Sequence, residues 1–426
     1  MLIFLAVSAA IQVRQPKNQI FPLLPAIAIS IVVLWAIIQT IAMPLWLDSN
    51  PLLASLPATL KLAHDGRIAI DVERAWTGIM RILAYVGVFW AASQLCTDRA
   101  FANRMCWTII AAGIVVTTYG FVMQVSVRSC IVLTVIKRPL EGGDPCSFSG
   151  TFVNSGNYAT YAGLVSLICV AQLHALIFRP DPPANRRTRL LQILTRLSGK
   201  GGIYLCALIV LQGGLLFSAS RAGIAAFVIA AGIMIALLSA SQRHGRASTL
   251  ASFSMILIFM VIMLIIGGEG VIKRSFGLLI EGDRDRVSLF GLSLQAISLR
   301  PWTGWGVGSF EVIYSIFQTP ALVPQYDKAH NTYLENAMDL GIPASILLEV
   351  AIFLVAVRCF RGMRSRTHHA HYPAIGFGCT VLVGLQAFVD FGVQIPAVAG
   401  LYAALLGMSW AQSWSSRQVE YSPSTT

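Results

Sequence analysis

Ten long apolar segments constrain this chain more than any other sequence feature. A helix needs about 20 apolar residues to cross a hydrocarbon core of about 30 Å. An eleventh apolar stretch, residues 1–13, lacks the basic start and the small-residue cleavage site of a signal peptide, so we predict a helix there too. The predicted fold is an all-α, polytopic integral membrane protein with about ten or eleven transmembrane helices. The ten segments are residues 20–43, 77–96, 105–126, 157–178, 202–219, 222–240, 250–266, 342–360, 373–391 and 396–412.

The charges between these segments predict the orientation of the chain, because Lys and Arg favour the cytoplasmic side of short loops. One alternate set of connections holds 17 Lys and Arg against 3 Asp and Glu, whereas the opposite set holds 13 and 14. We therefore predict that the first set is cytoplasmic. The net charge of +12 then reflects membrane topology, and no nucleic-acid partner is expected. The predicted cytoplasmic set is 14–19, 97–104, 179–200, 241–248, 358–372 and 413–426.

This orientation divides the chain into four parts and places three loops outside. Residues 1–266 hold the N-terminal transmembrane helices, 267–341 form a large, partly helical extracytoplasmic loop, 342–412 hold the C-terminal helices, and 413–426 form a cytoplasmic tail. Cys130 and Cys146 share the outer loop 127–156, where an oxidising compartment favours a disulfide between them. No cysteine pair has the spacing of a zinc site.

A tight hairpin is predicted at Arg221. Residues 202–240 are almost wholly apolar, and one helix of that length would run to about 60 Å, roughly twice the bilayer core. The chain must therefore turn, and Ser218–Arg221 is the only polar interruption of the kind that a turn needs. Arg221 then lies at the outer membrane surface, either as a snorkelling anchor or as a guanidinium that binds a phosphate.

Three patterns in the polar segments resemble known sites only superficially. The triplet Gly304-x-Gly306-x-Gly308 lacks the preceding strand and the lysine of a nucleotide loop. The pair Asp283-x-Asp285 matches the DxD of metal-dependent glycosyltransferases, a spacing that is common by chance. The cluster His368-His369-x-His371 lies beside arginines and is expected to be a solvated face. We therefore predict no metal site and no cofactor.

A set of short motifs, taken together, resembles the O-antigen ligase and O-antigen polymerase superfamily over roughly residues 70–412. The resemblance lies in the order and the predicted sidedness of these motifs. Two departures are Gln386, where the family often has a histidine, and Asp339, where it commonly has a glutamate. The motifs are Thr151–Asn154, Ser220-Arg221-Ala-Gly, Arg286 before the amphipathic stretch 287–299, Pro301–Phe310, Ala329-His330-Asn331-x-x-Leu334 and Asp390-Phe391.

The resemblance implies transfer of a glycan from undecaprenyl diphosphate to an acceptor hydroxyl at the periplasmic face of the bacterial inner membrane. His330 is the expected general base, since an imidazole titrates near neutral pH. Arg221 and Arg286 are expected to bind the diphosphate that leaves. The expected supporting residues are Ser220 beside the arginine, Asn331 as a helix cap, and Asp390 and Arg81 as an ion pair of similar depth in the membrane.

Trp305 and Tyr333 have two interpretations, since either can line the path of the sugar or pack the loop.

Three functions remain open from the sequence. A ligase would attach O-antigen to lipid A-core, and a polymerase would extend a repeat-unit polysaccharide on the same lipid carrier. The two differ in the acceptor, which residue types do not reveal. A transporter or flippase of lipid-linked sugars is the third hypothesis. Transporters usually bind substrate near the bilayer midplane, whereas the candidate residues here crowd one predicted surface, which favours an enzyme.

Overall fold

The structure, a computed structural model, describes residues 22–42, 66–126, 130–132, 135–137, 148–178, 186–241, 287–318, 326–366 and 368–414. Most of these residues are helical, and a short antiparallel pair of strands pairs Cys130 with Lys137 in the predicted outer loop. The elements are α1 Leu23–Gln39, α2 Val72–Leu95, α3 Arg99–Ser126, β1 Cys130–Val132, β2 Val135–Lys137, α4 Ser155–Ile177, α5 Arg186–Arg196, α6 Gly202–Phe217, α7 Arg221–Ser241, α8 Val287–Leu299, α9 Phe310–Phe317, α10 Thr332–Leu340, α11 Ile342–Ser365, α12 His371–Gln386 and α13 Pro396–Ala411.

Six helices in the described part of the chain are long and apolar enough to cross a membrane. They confirm the predicted all-α membrane class. The predicted segments 1–13 and 250–266 lie outside the described residues, so the total of ten or eleven helices stays a prediction. The six spans are Val72–Leu95, Arg99–Gln124, Ser155–Ile177, Leu194–Phe217, Arg221–Ser241 and Ile342–Ser365.

Helix α4 forms the centre of the bundle. Its residues from Gly156 to His174 are buried, and it packs on α6, α7 and α12. An apolar helix that is enclosed on every side belongs to the core of a large helical protein. Small residues allow the close contacts: a methyl group built on Gly163 would lie 2.7 Å from Leu382 Cδ1 of α12. The first turn of α4 is thereby fixed at the end of the bundle where α12 finishes.

The predicted hairpin forms at the predicted place. Helix α6 ends at Phe217, and α7 begins at Arg221. Ala219 has a left-handed backbone (φ 53°), which turns the chain in three residues. Ser220 Oγ accepts the backbone N–H of Gly223 at 3.3 Å and caps α7, as serine commonly does.

Residues 287–318 and 326–340 share a small hydrophobic core. Trp305, Phe310 and Tyr314 are fully buried in it, together with apolar residues of α8 and α10. Gly341, with φ 80°, ends α10 and lets α11 begin at once, with a proline in its first turn. This compact unit therefore delivers α10 directly onto the end of a long apolar helix, with His330 just before its start.

Candidate functional site

The start of α10 is tied to the end of α12 by its own first residue. Thr332 donates its backbone N–H to the Ala387 carbonyl at 2.9 Å and its hydroxyl to the Asp390 carbonyl at 3.1 Å. Asn331 Oδ1 accepts the Leu334 N–H at 3.1 Å, so the predicted helix cap is confirmed. His330 is therefore held next to the residues that follow α12.

Glu335 clamps the turn that carries His330. One carboxylate oxygen accepts the Ala329 N–H at 2.9 Å, and the other pairs with Lys328 Nζ at 3.0 Å. Burial works to lower the pKa of Lys328, but the charge and hydrogen bond of Glu335 outweigh it and raise the pKa. No role for Glu335 was predicted from the sequence. Its position in the first turn of the predicted helix, where an acid is favourable, was the available signal.

The imidazole of His330 faces the carboxylate of Asp390. His330 Nδ1 lies 3.8 Å from Asp390 Oδ1, and the side chains are 17% and 8% exposed. The ring also packs edge-on against Phe391 at 4.8 Å and against Tyr326 at 6.0 Å between ring centroids. His330 itself has φ 52°, a backbone conformation that residues other than glycine adopt at a cost. The Asp390 carboxylate and the two aromatic rings thus hold the imidazole of His330 in one orientation.

The Asp390 carboxylate also lies against the beginning of α4. A methyl group built on Gly156 would collide with Asp390 Oδ2, so the contact requires glycine. Asn154 caps α4 by accepting the Gly156 N–H at 2.7 Å. The N-terminus of a helix carries a partial positive charge, which favours a carboxylate beside it. The predicted outer-loop element Thr151–Asn154 thus leads directly to Asp390, through a non-local contact that the sequence did not reveal.

The hairpin that carries Ser220 and Arg221 joins the same end of the bundle. A methyl group built on Gly223 would lie 2.5 Å from the Cβ of Ala159, which is one turn along α4 from Gly156. Arg221 begins α7 and is half-buried. We define the three-start end as the starts of α4, α7 and α10 together with the end of α12. It brings Ser220, Arg221, His330, Asn331 and Asp390 onto one end of the protein.

Two predicted site residues do not come together as expected. Arg81 is exposed on α2, a helix that packs on α13 and α1, whereas Asp390 faces His330 and Gly156. The expected ion pair between Arg81 and Asp390 does not form in the described residues, because Arg81 on α2 and Asp390 beyond the end of α12 face different neighbours. Arg286 and Cys146 lie outside the described residues, and of Cys130 only the backbone is described. Their expected roles stay predictions.

The glycine turn, defined as Pro301–Ser309, serves the other end of α10. The backbone N–H of Gly308 and the Ser309 hydroxyl both donate to the Asp339 carboxylate, at 2.6 and 3.0 Å. Burial raises the pKa of that carboxyl to about 7, and the charge of Glu335 adds to the rise. Trp305 is fully buried and donates Nε1–H to the Ala296 carbonyl at 2.9 Å. Trp305 thus packs the loop, as one of its two interpretations predicted.

No group of three or more His, Cys, Asp or Glu side chains in the described ranges has an arrangement that could hold a metal ion. The reactive-looking groups at the three-start end are instead an imidazole, a carboxylate and a guanidinium. Such a set can move one proton and stabilise an anion.

Residues 205–348 match the family model Wzy_C, described as O-antigen ligase. The matched segment contains the hairpin at Arg221, the glycine turn, His330 and the start of α11. The resemblance expected from the motifs is therefore confirmed over these residues. It supports a function of the O-antigen ligase or polymerase type in surface polysaccharide synthesis. No curated protein matches the chain.

Proposed function

We propose that this protein transfers a glycan from undecaprenyl diphosphate to an acceptor hydroxyl, at the periplasmic face of the bacterial inner membrane. The observation that carries the proposal is the position of His330, held against Asp390 at the same end of the bundle as Arg221. An acid–base residue and a half-buried cation at one end of a membrane protein are what transfer from a lipid diphosphate requires.

In the proposed reaction, His330 accepts the proton of the acceptor hydroxyl while the hydroxyl oxygen attacks the anomeric carbon of the donor sugar. The new C–O bond forms as the bond between that carbon and the diphosphate oxygen breaks. Asp390 stabilises the imidazolium that results, at 3.8 Å between Oδ1 and Nδ1. A general base of this kind contributes about 10²- to 10⁴-fold to the rate. Direct displacement inverts the anomeric centre.

The departing diphosphate gains negative charge, and fixed positive groups can stabilise it without a metal ion. Arg221 offers a planar guanidinium that suits phosphate, and it stands at the N-terminus of α7, whose free N–H groups and dipole also favour an anion. We assign Arg286 the same role as a second cation. This assignment predicts full activity in the presence of EDTA.

The acceptor separates the two closest versions of this function. We favour a ligase that uses lipid A-core, because the family model that matches is described as an O-antigen ligase. A polymerase would use a second lipid-linked glycan as its acceptor. A purified protein supplied with both acceptors in turn will distinguish them by the product formed. A transporter is disfavoured because the candidate residues gather at one end of the bundle.

The decisive test measures transfer from a lipid-linked glycan by purified protein in proteoliposomes. His330→Ala and Arg221→Ala should each reduce the rate about 100-fold or more, which corresponds to about 2.7 kcal/mol of lost transition-state stabilisation. His368→Ala and Arg187→Ala are matched controls, since both residues are exposed and lie far along the chain from the motifs. A full rate in His330→Ala would refute the proposed mechanism.

The sidedness has its own test. Asp327 is exposed three residues before His330, and His368 is exposed between α11 and α12. In spheroplasts, a membrane-impermeant maleimide should label Asp327→Cys and leave His368→Cys unlabelled until the membrane is opened. The reverse pattern would place the three-start end in the cytoplasm and contradict the proposal.

A further inference from the structure

Gln386, the last residue of α12, is a buried amide without hydrogen bonds. Its residue exposure is 2%, and within the described part of the chain neither Nε2 nor Oε1 has a hydrogen-bond partner. Among the described side chains it is the one amide whose nitrogen and oxygen are both buried and both unpaired. Leaving two polar groups unpaired away from water destabilises a fold, so such a group calls for an explanation.

The helical register places this amide directly beneath the proposed reaction centre. The Gln386 carbonyl accepts the Asp390 N–H at 2.9 Å, so the two residues are one turn apart. On the same face of α12, Gly378 contacts Met234 of α7 and Leu382 contacts Gly163 of α4. One further turn along, the register places Gln386 on the side of α12 that packs on α4 and α7. It is therefore level with the start of α7 and adjoins the three-start end.

The bundle provides a partner for a similar glutamine elsewhere. Gln212 of α6 is equally buried, at 1% exposure; its Nε2 donates to Ser166 Oγ of α4 at 2.8 Å, and only its Oε1 has no partner among the described residues. Replacement of a polar pair by apolar groups is often neutral, so an unpaired amide at Gln386 has no structural advantage over leucine. Polar residues inside a membrane protein usually mark a substrate path. The contrast points to a ligand.

We propose that Gln386 is a binding residue for the sugar that is attached to the diphosphate of the donor. This inference rests on the proposed function. The oxygens of a diphosphate only accept hydrogen bonds, whereas a sugar hydroxyl or acetamido group offers both a donor and an acceptor. The amide of Gln386 also offers one of each kind, so the sugar is its chemical complement. Asp390, one turn above, would face the side of the sugar nearest the anomeric carbon.

Entry of the sugar requires a small opening, because the amide is enclosed in this structure. The neighbouring contact between α4 and α7 is formed by Ala159 and Gly223, which have no long side chains that would need to rotate away. We expect the start of α7 to separate from α4 there when the donor binds. The same motion would bring Gln386 into contact with the sugar while Arg221 meets the diphosphate.

The test compares Gln386→Leu with Gln212→Leu in the transfer assay and in a thermal unfolding assay. Gln386→Leu should raise the KM for the donor about tenfold, which is the loss of about one hydrogen bond, with a smaller change in kcat. Its thermal midpoint should stay level or rise, since an unpaired amide is removed. Gln212→Leu should leave KM unchanged and lower the midpoint, because Ser166 loses its partner.

Two further measurements make the inference specific. Gln386→His should restore most of the donor affinity, since an imidazole also offers one donor and one acceptor. Sugar-free undecaprenyl diphosphate, used as an inhibitor, should bind wild type and Gln386→Leu equally. If the inhibitor instead binds Gln386→Leu more weakly, by the same factor by which the KM for the donor rises, the amide binds the leaving group. That result would overturn the assignment to the sugar.

The outcome is separable from that of the proposed function. A wild-type protein that transfers no glycan refutes the proposed function. An active wild type with an unchanged KM in Gln386→Leu refutes this inference alone, and the amide then pairs with an internal water only. If Gln386→Leu does not fold, Gln386→Met provides an unbranched replacement of similar length for the same comparison.

Discussion

Two turns flank helix α10, and they differ in what their backbone and side chains do. The glycine turn at its C-terminal end directs backbone N–H groups into the helix: Trp305 donates to the Met338 carbonyl and Gly306 to the Asp339 carbonyl, both at 2.9 Å. The histidine turn, Tyr326–Asn331, instead uses side chains, and it places His330 against Asp390 of another segment. The glycine turn therefore supports helix α10, and the histidine turn presents the reactive imidazole.

The backbone conformations show the same division. Gly304, Gly306 and Gly308 all have positive φ, which glycine adopts at no steric cost. His330 has φ 52° and does pay this cost, about 1–2 kcal/mol for a residue with a Cβ atom. Residues held in such conformations concentrate at functional sites, where surrounding contacts maintain them. Substitutions in the glycine turn should therefore mainly lower stability, and substitutions in the histidine turn should mainly lower activity.

Among the substitutions that test this comparison, the largest effect is expected at Asp390, which His330 of the histidine turn faces. Asp390→Ala removes the acid beside His330, and we expect transfer to fall about 100-fold, within the range that a general base contributes. Asp390→Asn keeps an oxygen that can accept the Phe391 N–H, a bond of 2.8 Å in the native protein, so it should fold like the wild type and still be impaired. The measurement is the initial rate of glycan transfer with protein amount matched by size-exclusion chromatography. An active Asp390→Asn would show that the charge is dispensable.

Gly304→Ala should mainly destabilise the protein. The new methyl group would lie 2.5 Å from the Asp339 carbonyl oxygen, in a backbone with φ 69°. Strain and overpacking together should lower the free energy of unfolding by about 2–5 kcal/mol, measured by chemical or thermal unfolding in detergent. Gly291→Ala on α8 is the control, since its methyl group meets nothing within 4 Å and a helix favours alanine. Equal stability of the two variants would contradict the assigned role of the glycine turn.

Glu335→Gln should have a smaller effect that appears in kcat. The amide cannot accept hydrogen bonds at both ends, so either Ala329 or Lys328 loses its partner and His330 is less well oriented. A loss of about tenfold in kcat with little change in KM is expected, equivalent to about 1.4 kcal/mol. Glu311→Gln is the control, because Glu311 forms a partly exposed ion pair with Arg74, and such pairs contribute little. A change confined to KM would exclude a positioning role for Glu335.

The sequence predicted those parts of the molecule that depend on local physics. The apolar segments predicted the helices, and the polar break at Ser218–Arg221 predicted the hairpin, since helix length against bilayer thickness leaves no other solution. The helix cap at Asn331 was predictable because an asparagine side chain commonly accepts a backbone N–H at the start of a helix. The order of the motifs predicted that His330, Arg221 and Asp390 belong to one site.

What the sequence did not predict depends on non-local packing. The expected pair of Arg81 with Asp390 failed because similar depth in a membrane does not determine which neighbours two side chains face. Gly156 and Glu335 were missed because their roles depend on the carboxylate or backbone that each one meets. The unpaired state of Gln386 likewise exists only in the assembled bundle, although its departure from the family pattern was visible in the sequence.

The smallest effect on glycan transfer is expected at Trp305, and this variant tests the comparison most directly. Trp305→Phe removes the Nε1 hydrogen bond to the Ala296 carbonyl and leaves a small space in a fully buried site. We expect about 1–3 kcal/mol of lost stability and an unchanged KM for the donor at a temperature where the variant is folded. Stability and transfer kinetics should be measured on the same preparation. A raised KM would mean that the glycine turn touches the sugar, and the division of labour between the two turns would then fail.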